Sequence, residues 1–154
     1  MFLKIKKLSQ IVILGLITFL FSSFALAATS NVVGNWETID AKTQKPSSII
    51  AIQSSGSVVV GKIIKTFDET SEKKVERCTL CKDDRKNQPI IGLEIIRNMQ
   101  CELNKCHGGT ILDPRDGKIY KATMRLVNNG QQLKVRGYIG VSLFGKTVVW
   151  NRYK

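Results

Sequence analysis

The feature that most constrains this chain is a succession of short β-branched runs separated by turn residues. It begins at Val33 and continues to the C-terminus with little that repeats at helical spacing. The runs are Val33–Ile39, Ser48–Gln53, Val58–Phe67, Ile90–Arg97, Gly109–Leu112, Lys118–Val127, Gln132–Ile139 and Thr147–Tyr153. Between them stand Ser54-Ser55-Gly56, Asp113-Pro114-Arg115-Asp116-Gly117 and Asn128-Asn129-Gly130, which supply a proline-fixed φ or residues that accept positive φ. About eight strands in meander order, with no room for helices, predict an all-β fold: a single antiparallel up-and-down barrel, because closure removes the exposed edges.

From Lys118 to Val127 the residues Tyr120, Ala122, Met124 and Leu126 share one face, while Lys121, Thr123 and Arg125 share the other. That is the pattern of a strand between core and solvent. In Val58–Phe67 both faces are apolar, with Val59, Ile63 and Phe67 opposite Val58, Val60 and Ile64, so both are expected to be covered. Asp68 to Gln88 is a long, charge-dense interruption holding Cys78 and Cys81, with room for a short helix at Glu69–Arg77.

The 154 residues divide into two parts. Lys4, Lys6 and Lys7 precede an apolar run from Leu8 to Phe21, and Ala25-Leu26-Ala27 is a small-x-small site, so residues 1–27 read as a cleavable signal peptide. The run is short for a membrane span and is broken by Ser22-Ser23, so no integral span is expected after cleavage. Residues 28–154 then form one exported domain, periplasmic or secreted. The full chain carries 24 basic and 12 acidic residues, and loss of the three signal lysines leaves a net charge of +9. Such charge favours solubility and anionic envelope partners, such as lipopolysaccharide phosphates or cell-wall carboxylates, while export argues against nucleic acid.

Gly34-Asn35-Trp36, Cys78-Thr79-Leu80-Cys81, Pro89-Ile90-Ile91-Gly92-Leu93 and Gly108 through Pro114 form a specific set with Leu133 through Gly140, Phe144-Gly145 and Trp150-Asn151-Arg152. Together they resemble the exported bacterial "domain of unknown function 2147" family over nearly all of the mature chain. The resemblance implies a lipocalin-like barrel and leaves the activity open. Cys101 and Cys106 depart from the family pattern, which has a glycine-containing turn there.

The cysteines are spaced C-x2-C, 19 residues, C-x4-C, a spacing that a tetrahedral zinc site tolerates, with His107 as a substitute ligand. An oxidising compartment favours disulfides instead, and among the three pairings the local one, Cys78–Cys81 with Cys101–Cys106, is expected because each pair sits within one loop. Thiol-redox chemistry remains an alternative to a binding function. No helix N-terminus in an α/β unit surrounds Cys78, as a thioredoxin-type site would need.

Trp36 in the first strand and Arg152 in the last resemble the lipocalin arrangement in which a guanidinium packs across an indole at the closed end; Trp150, two residues from Arg152, is an alternative partner. In Gln132–Ile139, Lys134, Arg136 and Tyr138 share one face and Leu133, Val135 and Ile139 the other. If the polar face turns inward, Arg136 and Tyr138, with Tyr120 nearby, would anchor an amphipathic or anionic ligand. Otherwise Arg136 would pair with Asp113 or Asp116 at a rim. His107 is the single histidine, and Gly140-Val141-Ser142-Leu143-Phe144-Gly145 is not a nucleophile elbow, so a hydrolase or isomerase is the weakest reading. The leading expectation is a non-enzymatic module that binds a small apolar or amphipathic ligand without a cofactor, with zinc only in the cysteine-based alternative.

Overall fold

Antiparallel pairing of sequence neighbours and alternating burial build this molecule. A computed structural model describes residues 32–67 and 76–154. The eight strands are β1 (Gly34–Ile39), β2 (Pro46–Ser55), β3 (Val58–Thr66), β4 (Glu94–Glu102), β5 (Lys105–Asp113), β6 (Lys118–Val127), β7 (Gln132–Tyr138) and β8 (Lys146–Tyr153). Each pairs antiparallel with its sequence neighbours, and β1 pairs with β8, so the sheet closes into a barrel. The register that closes it sets Asn35 opposite Tyr153, Trp36 opposite Arg152 and Glu37 opposite Asn151.

The interior is filled by one face of every strand, including Trp36, Ile50, Ile52, Val59, Ile63, Ile96, Met99, Ala122, Met124, Leu133, Val135 and Trp150, all buried. β6 follows its sequence pattern, with Ala122, Met124 and Leu126 inward and Lys121 and Arg125 exposed. β3 is covered on one face only: Val59, Gly61 and Ile63 are buried, whereas Lys62, Ile64 and Lys65 face solvent. The expectation that both its faces are covered is therefore corrected: among the described residues nothing shields Lys62, Ile64 and Lys65.

β4 and β5 run further than the sequence suggests. Residues 90–93 belong to the preceding loop, and β4 continues through Cys101 to a two-residue turn at Leu103-Asn104, with Leu103 in the left-handed region (φ 51°). Both strands carry irregularities. The β3–β4 register slips between Val59 and Gly61 near Asn98 (φ 57°), and the β5–β6 register slips between Cys106 and Gly109, at Gly108 (φ 75°). An extra residue resets the alternation of side chains, which hides a strand from a period-two reading.

Residues 76–93 form a loop that packs on the barrel wall, burying Cys78, Cys81, Ile90 and Leu93. Arg85 is the one charged residue buried among the described residues. Its Nε donates to both carboxylate oxygens of Asp83 (3.1 and 3.0 Å) and its Nη1 to the Glu94 carbonyl (3.0 Å), which ties the loop to the start of β4. The helix anticipated at Glu69–Arg77 lies almost wholly outside the described residues, as do the signal peptide and its cleavage site. Arg77 itself is in a β-bridge with Pro89. Among the described residues no helix is long and apolar enough to cross a membrane.

Candidate functional site

The two ends of the barrel differ in chemistry. At one end the turns β2–β3, β4–β5 and β6–β7 meet both ends of the barrel-forming chain, and there Trp36 is fully buried. Its Nε1 donates to the Val32 carbonyl (2.8 Å), and the Arg152 guanidinium lies 4.2 Å from its ring centroid. Arg152 Nε donates to the Gly130 carbonyl (2.6 Å), so the cation that stacks on the indole also fastens the β6–β7 turn. Gly34 has φ 132°, and a Cβ there would stand 3.0 Å from Arg152 Nη1, so the glycine of Gly-x-Trp leaves room for the guanidinium. This end is a floor, with Trp36 rather than Trp150 as the partner of Arg152.

The other end opens into a cavity of about 490 Å³, within the range of small-molecule sites. Ile50, Ile63, Ile95, Ile111, Val135 and Val148 make its apolar wall, and the indole of Trp150 reaches it from β8. Polar groups are confined to the rim. Asp40 caps the β1–β2 turn, where Oδ1 accepts from the N–H groups of Lys42 and Thr43 (both 2.9 Å), and these bonds hold its carboxyl below the usual range. Arg115, on the β5–β6 turn, bridges Asp113 (2.8 Å) and reaches Asp40 (3.6 Å) across the mouth. Burial raises the Asp113 carboxyl, and the side-chain and backbone bonds from Arg115 outweigh it, leaving the group below its ordinary value. Tyr120 also lines the cavity, its hydroxyl donating to Asp116 (3.0 Å); burial and that carboxylate push its pKa up. Lys146, at the start of β8, completes the rim.

The ligand anchors expected on β7 are corrected. Leu133 and Val135 take the inward positions, so alternation turns Arg136 and Tyr138 to the outer face. Nor does Arg136 pair with Asp113 or Asp116, whose partners are Arg115 for the one, Lys118 and Tyr120 for the other. Its guanidinium instead donates to the carbonyls of Ser142 (3.0 Å from Nε) and Leu143 (3.0 Å), and to the Thr147 hydroxyl (2.9 Å). Of the three expected anchors only Tyr120 reaches the cavity. Asp40, Arg115 and Lys146 were not expected there; Asp113-Pro114-Arg115-Asp116-Gly117 was legible as a turn, but nothing in it says which end of a barrel stays open.

The four cysteines form two disulfides in the local pairing, Cys78–Cys81 and Cys101–Cys106. The second does not sit within a loop, because Cys101 and Cys106 are register partners that staple β4 to β5 next to their turn, with Cα atoms 4.0 Å apart. Every cysteine sulfur is thus committed to a covalent partner, and no group of three or more metal-binding side chains assembles among the described residues. His107, exposed on β5, has no thiolate set to join, so the zinc alternative is not supported. The Cys78–Cys81 loop abuts the rim. Cys78 Sγ lies 3.8 Å from the Pro114 carbonyl, and the Leu80 carbonyl stands 2.0 Å from where a Cβ on Gly117 would be, so the β5–β6 turn needs glycine there (φ 67°).

An eight-stranded up-and-down barrel with one end closed by a Trp–Arg stack, and the other opening into an apolar cavity, defines a lipocalin-like protein. The chain belongs to the DUF2147 family of uncharacterized proteins conserved in bacteria, which it matches over residues 34–152. Among solved structures it is similar to protein HP1028 from the human pathogen Helicobacter pylori, described as belonging to the lipocalin family. The TM-score is 0.67 and the identity 20%, covering 79% of this chain and 82% of that one. No curated protein matches this chain.

Proposed function

We propose that this chain is an exported, non-enzymatic binding module whose barrel takes one small apolar or amphipathic molecule, with the chain of the ligand inside and its polar head at the rim. The observation that carries this reading is the 490 Å³ cavity, aliphatic in its wall and polar only at its mouth. Burying an apolar chain there gains roughly 25 cal/mol per Å² removed from water. At the rim Lys146 suits an anionic head group, whereas Arg115 is already shared by Asp113 and Asp40 and the Tyr120 hydroxyl is given to Asp116. Export is supported by Ala25-Leu26-Ala27 and by two disulfides, which persist in oxidising compartments.

Titration with N-phenylnaphthylamine, an apolar fluorophore, tests the cavity. Saturable enhancement at one probe per chain is expected, with competition by lauric acid. Val148→Trp, which fills the cavity from β8, should abolish the signal while the protein stays folded. Absence of enhancement in the parent protein, or full enhancement in the Val148→Trp variant, would overturn the reading. N-terminal sequencing of protein recovered from the periplasm should begin at Ala28, and an intact Met1 would refute cleavage.

A further inference from the structure

The segment joining β7 to β8 is apolar and outward at once. Ile139 is 69% exposed, Val141 60%, Leu143 80% and Phe144 83%, four large side chains within six residues. An exposed cluster of this kind marks an interaction site more often than chance. It is also held in place. Arg136 donates to the carbonyls of Ser142 and Leu143, a single 3-10 turn spans Ser142–Phe144, and the Gly145 N–H returns to the Ser142 carbonyl (3.1 Å). The Val141, Ser142 and Leu143 carbonyls are thereby satisfied within the chain while the apolar side chains are displayed.

We propose that this loop docks the barrel on an anionic lipid surface, inserting Leu143 and Phe144 among the headgroups. Charge complementarity selects that occupant. On the outer face beside the loop, Lys121 stands opposite Tyr138 and Arg136 opposite Thr147; Lys118 and Lys146 stand at the mouth of the same end, Lys146 directly after the loop. The acids at this end already have cationic partners: Asp116 engages Lys118 (3.8 Å) and the Tyr120 hydroxyl, and Asp113 and Asp40 share Arg115. Each cation near an anionic bilayer is worth about fivefold in binding, and apolar side chains anchor at the interface. A second copy of this chain fits less well. At ~150 Å² each, four side chains fall below the about 800 Å² per partner of an average stable interface.

The geometry also relates the loop to the cavity. Gly137 and Lys146, the residues at its two ends, both line the mouth, and Leu80, 55% exposed, stands at the same end against the β5–β6 turn. A barrel docked by this corner turns its opening toward the lipid. The docking does not depend on the cavity being occupied, so it can fail while the ligand reading stands, and the reverse.

The test uses the full chain with phosphatidylglycerol and phosphatidylcholine vesicles. In Phe144→Trp the new indole is the exposed one, since Trp36 and Trp150 are buried. Its emission should shift to the blue with phosphatidylglycerol vesicles and be quenched by brominated acyl chains, with little change on phosphatidylcholine. Flotation with phosphatidylglycerol vesicles should fall at least tenfold in the double variant Leu143→Ser/Phe144→Ser and about fivefold or more in Lys121→Glu, with N-phenylnaphthylamine binding unchanged in all three. An emission spectrum that ignores the vesicles would overturn the proposal, as would a serine variant that floats like the parent. So would a blue shift without vesicles that tracks a concentration-dependent dimer lost in the serine variant, which would assign the loop to self-association.

Discussion

Trp36 and Arg152 illustrate how a single contact can carry a fold. The indole is sealed between the Val32 carbonyl and the guanidinium, so truncating it removes a large buried ring, the donor to that carbonyl and the face on which Arg152 stacks. Trp36→Ala is expected to cost about 3–5 kcal/mol in urea unfolding. Arg152→Ala should cost less, and the pair should depart from additivity by about 0.5–3 kcal/mol in a double-mutant cycle, as contacting residues do. Additive losses would separate the two side chains. The Arg85–Asp83 pair makes a second residue-scale prediction. The bonds from Arg85 hold the Asp83 carboxyl down to about 2, below its model-compound value near 3.8. A carboxyl depressed in the folded state contributes stability that is complete above its unfolded pKa and is lost as pH falls through the folded one. That contribution should fade between about pH 4 and pH 2, and Asp83→Asn should remove this part of the acid dependence while costing roughly 1.5–3 kcal/mol at neutral pH. Urea midpoints of both proteins at pH 7 and pH 3 check it, and parallel shifts would contradict the assignment. Both pairs differ in legibility. Trp36 and Arg152 stand in runs readable as strands, Val33–Ile39 and Thr147–Tyr153, whereas Arg85 sits in a charged stretch where no pattern distinguishes a buried guanidinium from a solvated one.

At the scale of elements, the strands with regular alternation were legible and those with bulges were not. β6 could be read side by side from its residues, because Tyr120, Ala122, Met124 and Leu126 keep one period throughout. β4 could not. Ile95 and Ile96 are both buried, Asn98 takes a positive φ, and the turn at Leu103-Asn104 lacks the Asn-Gly or Asp-Gly signal of a tight hairpin. The same blindness put Cys101 and Cys106 in a loop, when they face each other across a hairpin. A staple in that position closes a short ring, so its loss should be local: Cys101→Ser/Cys106→Ser should cost about 2 kcal/mol or less. Hydrogen exchange should quicken at Glu102–Lys105 and leave β7 and β8 protected. Quickening that spreads around the whole barrel would mean the bridge supports more than its own turn.

For the whole molecule, the barrel was legible because a meander of eight runs without helices has few other ways to hide its edges. Which end opens was not, since it depends on where Trp36 and Arg152 stack and on which turns the loop at 76–93 leans against. The closing seam has one further consequence, for the time at which the protein becomes a protein. Arg152 reaches the carbonyl of Val33 across 119 positions of sequence, so the first and last strands of the barrel meet at its seam. Closure therefore waits until β8 has been made, and contacts of such sequence separation form slowly. A nascent chain halted before Val148 should be degraded readily by protease, whereas the released full-length chain should become resistant. Until β8 is in place the polypeptide remains an unclosed ribbon with two bare edges.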